Sequence, residues 1–202
     1  TRDVINIKSV TGWVKNMNCA GSECVEVAST CSSCTKVAYI RLSQFGDQTN
    51  KEWVETINTI TSQTQTEAIT PVILDLRNNP GGYLPGAVFI ASEFITDGNV
   101  LLQEDGKGNK QEEGVSRRGL MTNKAKYPLY VLLNKGSASA SEIVAGALRD
   151  NNRAKLVGET SFGKGTVQQA IDIGNKGGSV HLSVAKWLTP NGTWVHKKGL
   201  KP

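Results

Sequence analysis

Two five-residue runs, Val72-Ile73-Leu74-Asp75-Leu76 and Leu129-Tyr130-Val131-Leu132-Leu133, constrain this chain most. Each is too short for a core helix and apolar enough to be a buried strand. Helical patterns follow both: Leu84, Val88, Ala91 and Ile95 mark one face over residues 84–95, and Ile143 to Arg149 forms a second helical run. A third helix is expected from Thr49 to Ile60, where Trp53, Ile57 and Ile60 recur at helical spacing behind Asp47 or Thr49 as a cap. Further strands are expected over residues 3–10, at Val37–Leu42, Asn99–Gln103 and Lys155–Gly158, and over 166–173 and 179–187. Short strands alternating with helices give an α/β domain. The charged, glycine-bearing stretch from Glu104 to Lys126 is expected to be a mobile connection.

With 202 residues, 38% of them hydrophobic, the chain can bury one sizeable core and reads as one domain. No apolar run approaches the roughly 18 residues of a membrane-spanning helix, and no secretory signal opens the sequence. The net charge of +5 is spread over scattered lysines and arginines without interleaved aromatics, which argues against a nucleic-acid partner. The abrupt start at Thr1-Arg2-Asp3 and the unmarked end at Leu200-Lys201-Pro202 suggest a piece of a longer protein.

All four cysteines lie between Cys19 and Cys34 in the spacing C-x4-C-x6-C-x2-C, within a polar insertion at about residues 17–36 expected to be a hairpin or loop. Local disulfides are the natural reading outside the cytoplasm, with a tetrathiolate zinc site and free thiols as alternatives.

The chemistry concentrates in Ser137-Ala138-Ser139-Ala140-Ser141-Glu142, at the start of a helix, and in Ser161-Phe162-Gly163-Lys164-Gly165. Ser139 and Glu142 also fit a capping box, and the glycines could simply shape a turn. The other reading is a nucleophile and its base. A serine becomes nucleophilic when a neighbouring base takes its proton, and a lysine can be that base where desolvation lowers its pKa. A helix N-terminus favours the negative charge that then develops. If residues 166–173 form a strand, Gln168 shares a face with Lys164 and can steady the amine without adding a carboxylate. Asn79-Pro80-Gly81-Gly82 reads as a turn whose glycines let the main chain approach closely.

The stretches Asn134 to Leu148, Val157-Gly158-Glu159, Phe162 to Gln168 and Val72 to Gly82 together resemble the carboxy-terminal processing peptidases, or tail-specific proteases, over roughly residues 37–200. The resemblance implies the spiral sheet-and-helix core of the Clp protease and crotonase type. It implies a serine endopeptidase that cuts protein substrates near their C-terminus, with Ser139 as nucleophile, Lys164 as base and Gln168 completing the arrangement. The amide of Ala140 and that of Gly82, or of Gly81, would form the oxyanion hole. Ser137 and Ser141 are then small neighbours that let substrate approach. No metal or organic cofactor is implied.

The resemblance further implies an extracytoplasmic setting, periplasmic or cell-envelope, a parent protein that could be membrane-anchored, and substrates with apolar C-terminal tails. It gives the cysteines no role. Members usually carry a tail-binding PDZ domain, for which nothing before Thr1 provides. The rival reading on the same fold is a non-proteolytic module for apolar ligands. Asp75 and Arg77 read as a structural ion pair and Asp150 as a supporting acid. His181, inside a strand, and His196, in an exposed-looking basic stretch, read as structural.

Overall fold

The computed structural model describes residues 7–20, 23–27, 34–174 and 177–202. Its strands are β1 (Val10–Ala20), β2 (Glu23–Glu26), β3 (Thr35–Leu42), β4 (Val72–Asp75), β5 (Asn99–Asp105), β6 (Lys110–Gly114), β7 (Leu129–Leu133), β8 (Ala154–Gly158), β9 (Thr166–Ile173) and β10 (Gly178–Leu188). The helices are α1 (Thr49–Gln63), α2 (Leu84–Ala91) and α3 (Ala140–Asp150). One sheet runs in the order β2-β1-β3-β4-β7-β8, and a second in the order β6-β5-β10-β9.

The two apolar five-residue runs lie side by side. β4 pairs parallel with β7, with β3 and β8 parallel on either flank. Ala38, Ile40, Leu42, Val72, Leu74, Leu129, Val131 and Leu133 are buried in one core with Trp53, Ile57 and Ile60 of α1 and Ile143, Val144 and Leu148 of α3. The alternate residues form a row across the other face, Trp13–Tyr39–Ile73–Tyr130–Lys155, in direct register. Trp13 stacks on Tyr39 at 4.9 Å between centroids.

The strand expected over 3–10 falls partly on residues outside the description, and in the described part β1 opens only at Val10. It continues to Ala20 because its partner dictates it: β1 and β3 pair from Val10↔Leu42 to Met17↔Thr35. The Glu52 carboxylate accepts from the amides of Ser9 and Val10 at 2.7 and 3.1 Å, anchoring its start on α1. The cysteine insertion is a hairpin in which Cys19 faces Cys24 across β1 and β2 and is bonded to it. Cys34 is disulfide-bonded as well, so these thiols cannot serve as zinc ligands, and Cys31 lies outside the described residues.

The stretch from Glu104 to Lys126 corrects the expectation of a mobile connection. β6 lies within it, and the segment beyond is held by the buried carboxylate of Glu93. Glu93 Oε1 accepts from the amides of Leu120 and Met121 at 2.6 and 3.2 Å, and Oε2 from Trp53 Nε1 at 3.2 Å and from Arg117. Arg153, also buried, ties the same region down by donating to the carbonyls of Phe94, Met121 and Tyr127 at 2.8–3.0 Å.

Candidate active site

β4 and β7, being parallel neighbours, deliver the turns at their C-terminal ends to the same edge of the sheet. There the segments Asn78–Gly82 and Asn134–Ser139 are laced together. Asn134 Oδ1 accepts from Asn78 N–H at 2.8 Å, and Asn134 Nδ2 donates to Asn78 Oδ1 at 2.8 Å. The Asn79 carbonyl accepts from Ala138 N–H and from Ser141 Oγ, both at 3.0 Å. Ser137 Oγ donates to the Leu76 carbonyl at 2.9 Å. Ser137 and Ser141 are fully buried, so they fasten the turns rather than admitting substrate.

Between them Ser139 takes φ +54° and ψ −116° at the N-cap of α3. A positive φ costs a non-glycine residue about 1–3 kcal/mol and persists only where the surroundings enforce it. A serine on a strained strand-to-helix turn presents its hydroxyl outward. Both halves of the capping box expected with Glu142 are present: Glu142 Oε2 accepts from Ser139 N–H at 2.9 Å, and the Ser139 side-chain oxygen faces the Glu142 N–H. In that box the Ser139 oxygen is an acceptor, and its hydroxyl proton is donated to no group among the described residues.

Gly81 and Gly82 explain themselves here. Gly81, at φ +98°, lies so close that a Cβ would sit 2.8 Å from Ser139 Cβ; at Gly82, φ +139°, it would sit 2.0 Å from the Phe45 carbonyl oxygen. Gly81 N–H donates to Asn79 Oδ1 at 2.9 Å. The amides of Gly82 and Ala140 donate to no group among the described residues. Two unclaimed amides flanking a serine are what an oxyanion hole requires.

Lys164 enters from the loop before β9. Gly82, Ser139, Ala140, Lys164 and Gln168 line one cleft of about 400 Å³, walled by Tyr83, Leu84, Pro85, Ile143, Val167 and Trp187. Lys164 Nζ has no hydrogen-bond or ion-pair partner among the described residues, and none joins it to Ser139 Oγ. What fixes its backbone is Glu142. This fully buried carboxylate accepts from Ser139 N–H and Lys164 N–H on Oε2, both at 2.9 Å, and from Ser161 Oγ at 2.6 Å and Gly163 N–H at 2.7 Å on Oε1. One side chain thus ties the serine turn to the lysine loop. The capping-box signal pointed to Glu142 but not to the three donors that come from the distant loop.

His181 also lines the cleft, a placement that its strand position did not reveal. It pairs with Ala170, diagonal to Gln168. His196 stacks on Trp194 at 5.1 Å with its Nδ1 buried, while Lys197 and Lys198 beside it are exposed. Asp150 accepts from Arg149 Nε at 2.8 Å and from Asn191 N–H at 3.0 Å, and lies at the far end of α3 from Ser139.

At the end of β4, Asp75 accepts from Tyr39 Oη and Arg77 Nη2, both at 2.7 Å, and pairs with Arg41 at 3.1 Å. Burial would push this carboxyl up, but the hydrogen bonds from Arg77 and Tyr39 and the Arg41 charge outweigh it. They hold Asp75 well below the usual carboxylate range.

Comparison with known proteins bears on the family and the fold. Carboxy-terminal processing protease CtpB of Bacillus subtilis is 40% identical over 166 residues, 82% of this chain and 33% of that protein. A carboxyl-terminal-processing protease of Synechocystis is 40% identical over 166 residues, 82% of this chain and 37% of its own length. The solved photosystem II D1 C-terminal processing protease superposes with a TM-score of 0.81 at 31% identity, covering all of this chain and 49% of that one. The chain spans about a third of the curated relatives it matches. Its mixed α/β architecture is the one these proteases share. The Peptidase family S41 model matches residues 36–202, and the chain belongs to that family.

Proposed function

We propose that this chain is the catalytic core of a serine endopeptidase that hydrolyses protein substrates near their C-terminus, with Ser139 as nucleophile and Lys164 as its base. The observation that carries the reading is the strained Ser139, its hydroxyl proton donated to no group among the described residues, in one cleft with a lysine amine that has no carboxylate partner. In its neutral form Lys164 takes the Ser139 hydroxyl proton as Oγ attacks the scissile carbonyl. The carbonyl oxygen, now negative, faces the amides of Gly82 and Ala140. Collapse of this intermediate breaks the C–N bond, and Lys164 returns its proton to the departing amine. Water, deprotonated by the same lysine, then releases the acyl group from Ser139.

Gln168, the third residue of β9 and a wall of the same cleft, would support Lys164 as a neutral hydrogen-bonding group. The apolar wall of Leu84, Ile143, Val167 and Trp187 suits apolar side chains beside the scissile bond, in keeping with an apolar substrate tail. The disulfide-closed hairpin fits an oxidising, extracytoplasmic compartment. A fluorophosphonate probe followed by peptide mapping tests the assignment. The adduct is expected on Ser139 and is expected to be lost in Lys164→Ala; a label on another serine, or undiminished labelling of that variant, overturns it.

A further inference from the structure

Lys164 Nζ has no partner among the described residues, so the place of the amine depends on how its loop is held. Glu142 holds the donor side, taking the amides of Gly163 and Lys164. The acceptor side is held by other groups. The Lys164 carbonyl accepts from Trp187 Nε1 at 2.9 Å, and the Gly165 carbonyl accepts from Trp194 Nε1, also at 2.9 Å. Indole N–H groups thus sit on consecutive carbonyls, at the lysine and at the residue after it.

The two tryptophans differ in what else they do. Trp187 is fully buried and walls the cleft. Trp194 is 42% exposed and is no part of the cleft wall. Apolar burial accounts for the first ring and leaves the second without a full reason.

The surroundings of Trp194 fit it to that one hydrogen bond. Its ring stacks on His196 with 16° between the planes, and Lys186 Nζ lies 5.5 Å from its centroid. Lys186 is fixed in turn by Glu104 at 2.6 Å. At residue 165 a glycine leaves the room needed: a Cβ there would sit 2.8 Å from Trp194 Nε1 and 2.8 Å from the His196 amide nitrogen. The same segment closes on the loop further along, with Lys197 N–H on the Gly163 carbonyl at 2.8 Å and Leu200 N–H on Ser161 Oγ at 2.7 Å. Between Gly163 and Gly165 the lysine has no stiff neighbour in its own chain, so these outside bonds must hold it.

We propose that Trp194 is a positioning residue for the reaction: its indole N–H, by holding the Gly165 carbonyl, keeps the Lys164 amine in reach of Ser139. The proposal rests on the reading of Lys164 as base. From outside the cleft Trp194 acts through the loop rather than on substrate. A misplacement of about 1 Å at a reacting group can cost about a hundredfold in rate.

The test removes the donor and keeps the ring. Trp194→Phe preserves an aromatic face for His196 and Lys186. Replacement of Trp194 by 3-benzothienylalanine, whose sulfur stands where the N–H was, preserves the outline as well. Amide hydrogen exchange at Gly163 and Lys164 needs no bond cleavage, and is expected to be about tenfold faster in both variants. Peptide hydrolysis is expected to lose about tenfold in kcat with KM within about twofold of the parent, because the cleft wall is untouched. Exchange at the parent rate overturns the proposal, as does an unchanged kcat or a loss that falls on KM instead. Lys164→Ala is assayed alongside. If it is inactive while the Trp194 variants turn over normally, the positioning role alone is overturned; full turnover in Lys164→Ala overturns the base reading on which that role rests.

Discussion

Ser139 shows how much local enforcement one residue can require. Its backbone angle is unfavourable for serine, and it is kept in place by the Asn79 carbonyl, by the bare backbone of Gly81 and by Glu142. Ser139→Ala and Lys164→Ala remove side-chain atoms without touching these supports. Both variants are expected to lose peptide hydrolysis while unfolding in urea within about 1–2 kcal/mol of the parent, the ordinary range for small substitutions. Glu142→Gln should behave differently. Four donors converge on its two oxygens, and a carboxamide replaces one of those oxygens with a donor. Leaving buried donors unmatched costs about 1–3 kcal/mol each. This variant should therefore lose both stability and kcat, seen together as a lower urea midpoint and a slower turnover at saturating peptide. Normal stability and full kcat would show that the tie between the two loops is dispensable.

Elements differed in how well the sequence announced them, and the difference has a physical basis. β4, β7 and α3 were legible because burial imposed its pattern on a few adjacent residues, and the serine turn because its motif is contiguous. β6 was not, since Lys110-Gln-Glu-Glu-Gly114 has no apolar alternation and is a strand only because β5 pairs with it. The later part of β1 is likewise ordered by its partners rather than by its own composition. The hub at Glu142 was half legible for the same reason, because Ser161, Gly163 and Lys164 arrive from a loop about twenty residues on. The cysteine hairpin gives a prediction at this scale. Cys19–Cys24 closes a loop of sequence separation 5 at an exposed hairpin far from the core residues. Reduction should raise the intact mass of the protein by four hydrogens, two for each of two bridges, and leave the urea midpoint of the core nearly unchanged. Chelatable zinc with no mass change would contradict the disulfide account.

For the molecule as a whole, two buried carboxylates organise the sheet edge where the site lies. Asp75 has its pKa depressed in the folded state, so the stability it contributes is present above the ordinary carboxylate pKa of 3.8 and is lost as pH falls below it towards the folded value. Urea midpoints of the parent and Asp75→Asn, compared from neutral pH downward, should differ most near neutrality and converge below that value; a constant gap would mean that the charge of Asp75 is not what matters. The partners of the two carboxylates are of different kinds. Asp75 faces guanidinium groups whose side chains are 30% and 48% exposed, within reach of dissolved ions. Glu142 is surrounded by amides and a hydroxyl, none of which carries a charge for a counterion to screen. At about 1 M salt the screening length shrinks to about 3 Å. The stability that Asp75 contributes near neutral pH should weaken there, while the spacing of Ser139 and Lys164, set by uncharged donors, should hold. A peptidase built this way would keep its turnover number through wide swings of ionic strength, even as the stability of its fold near neutral pH falls with added salt.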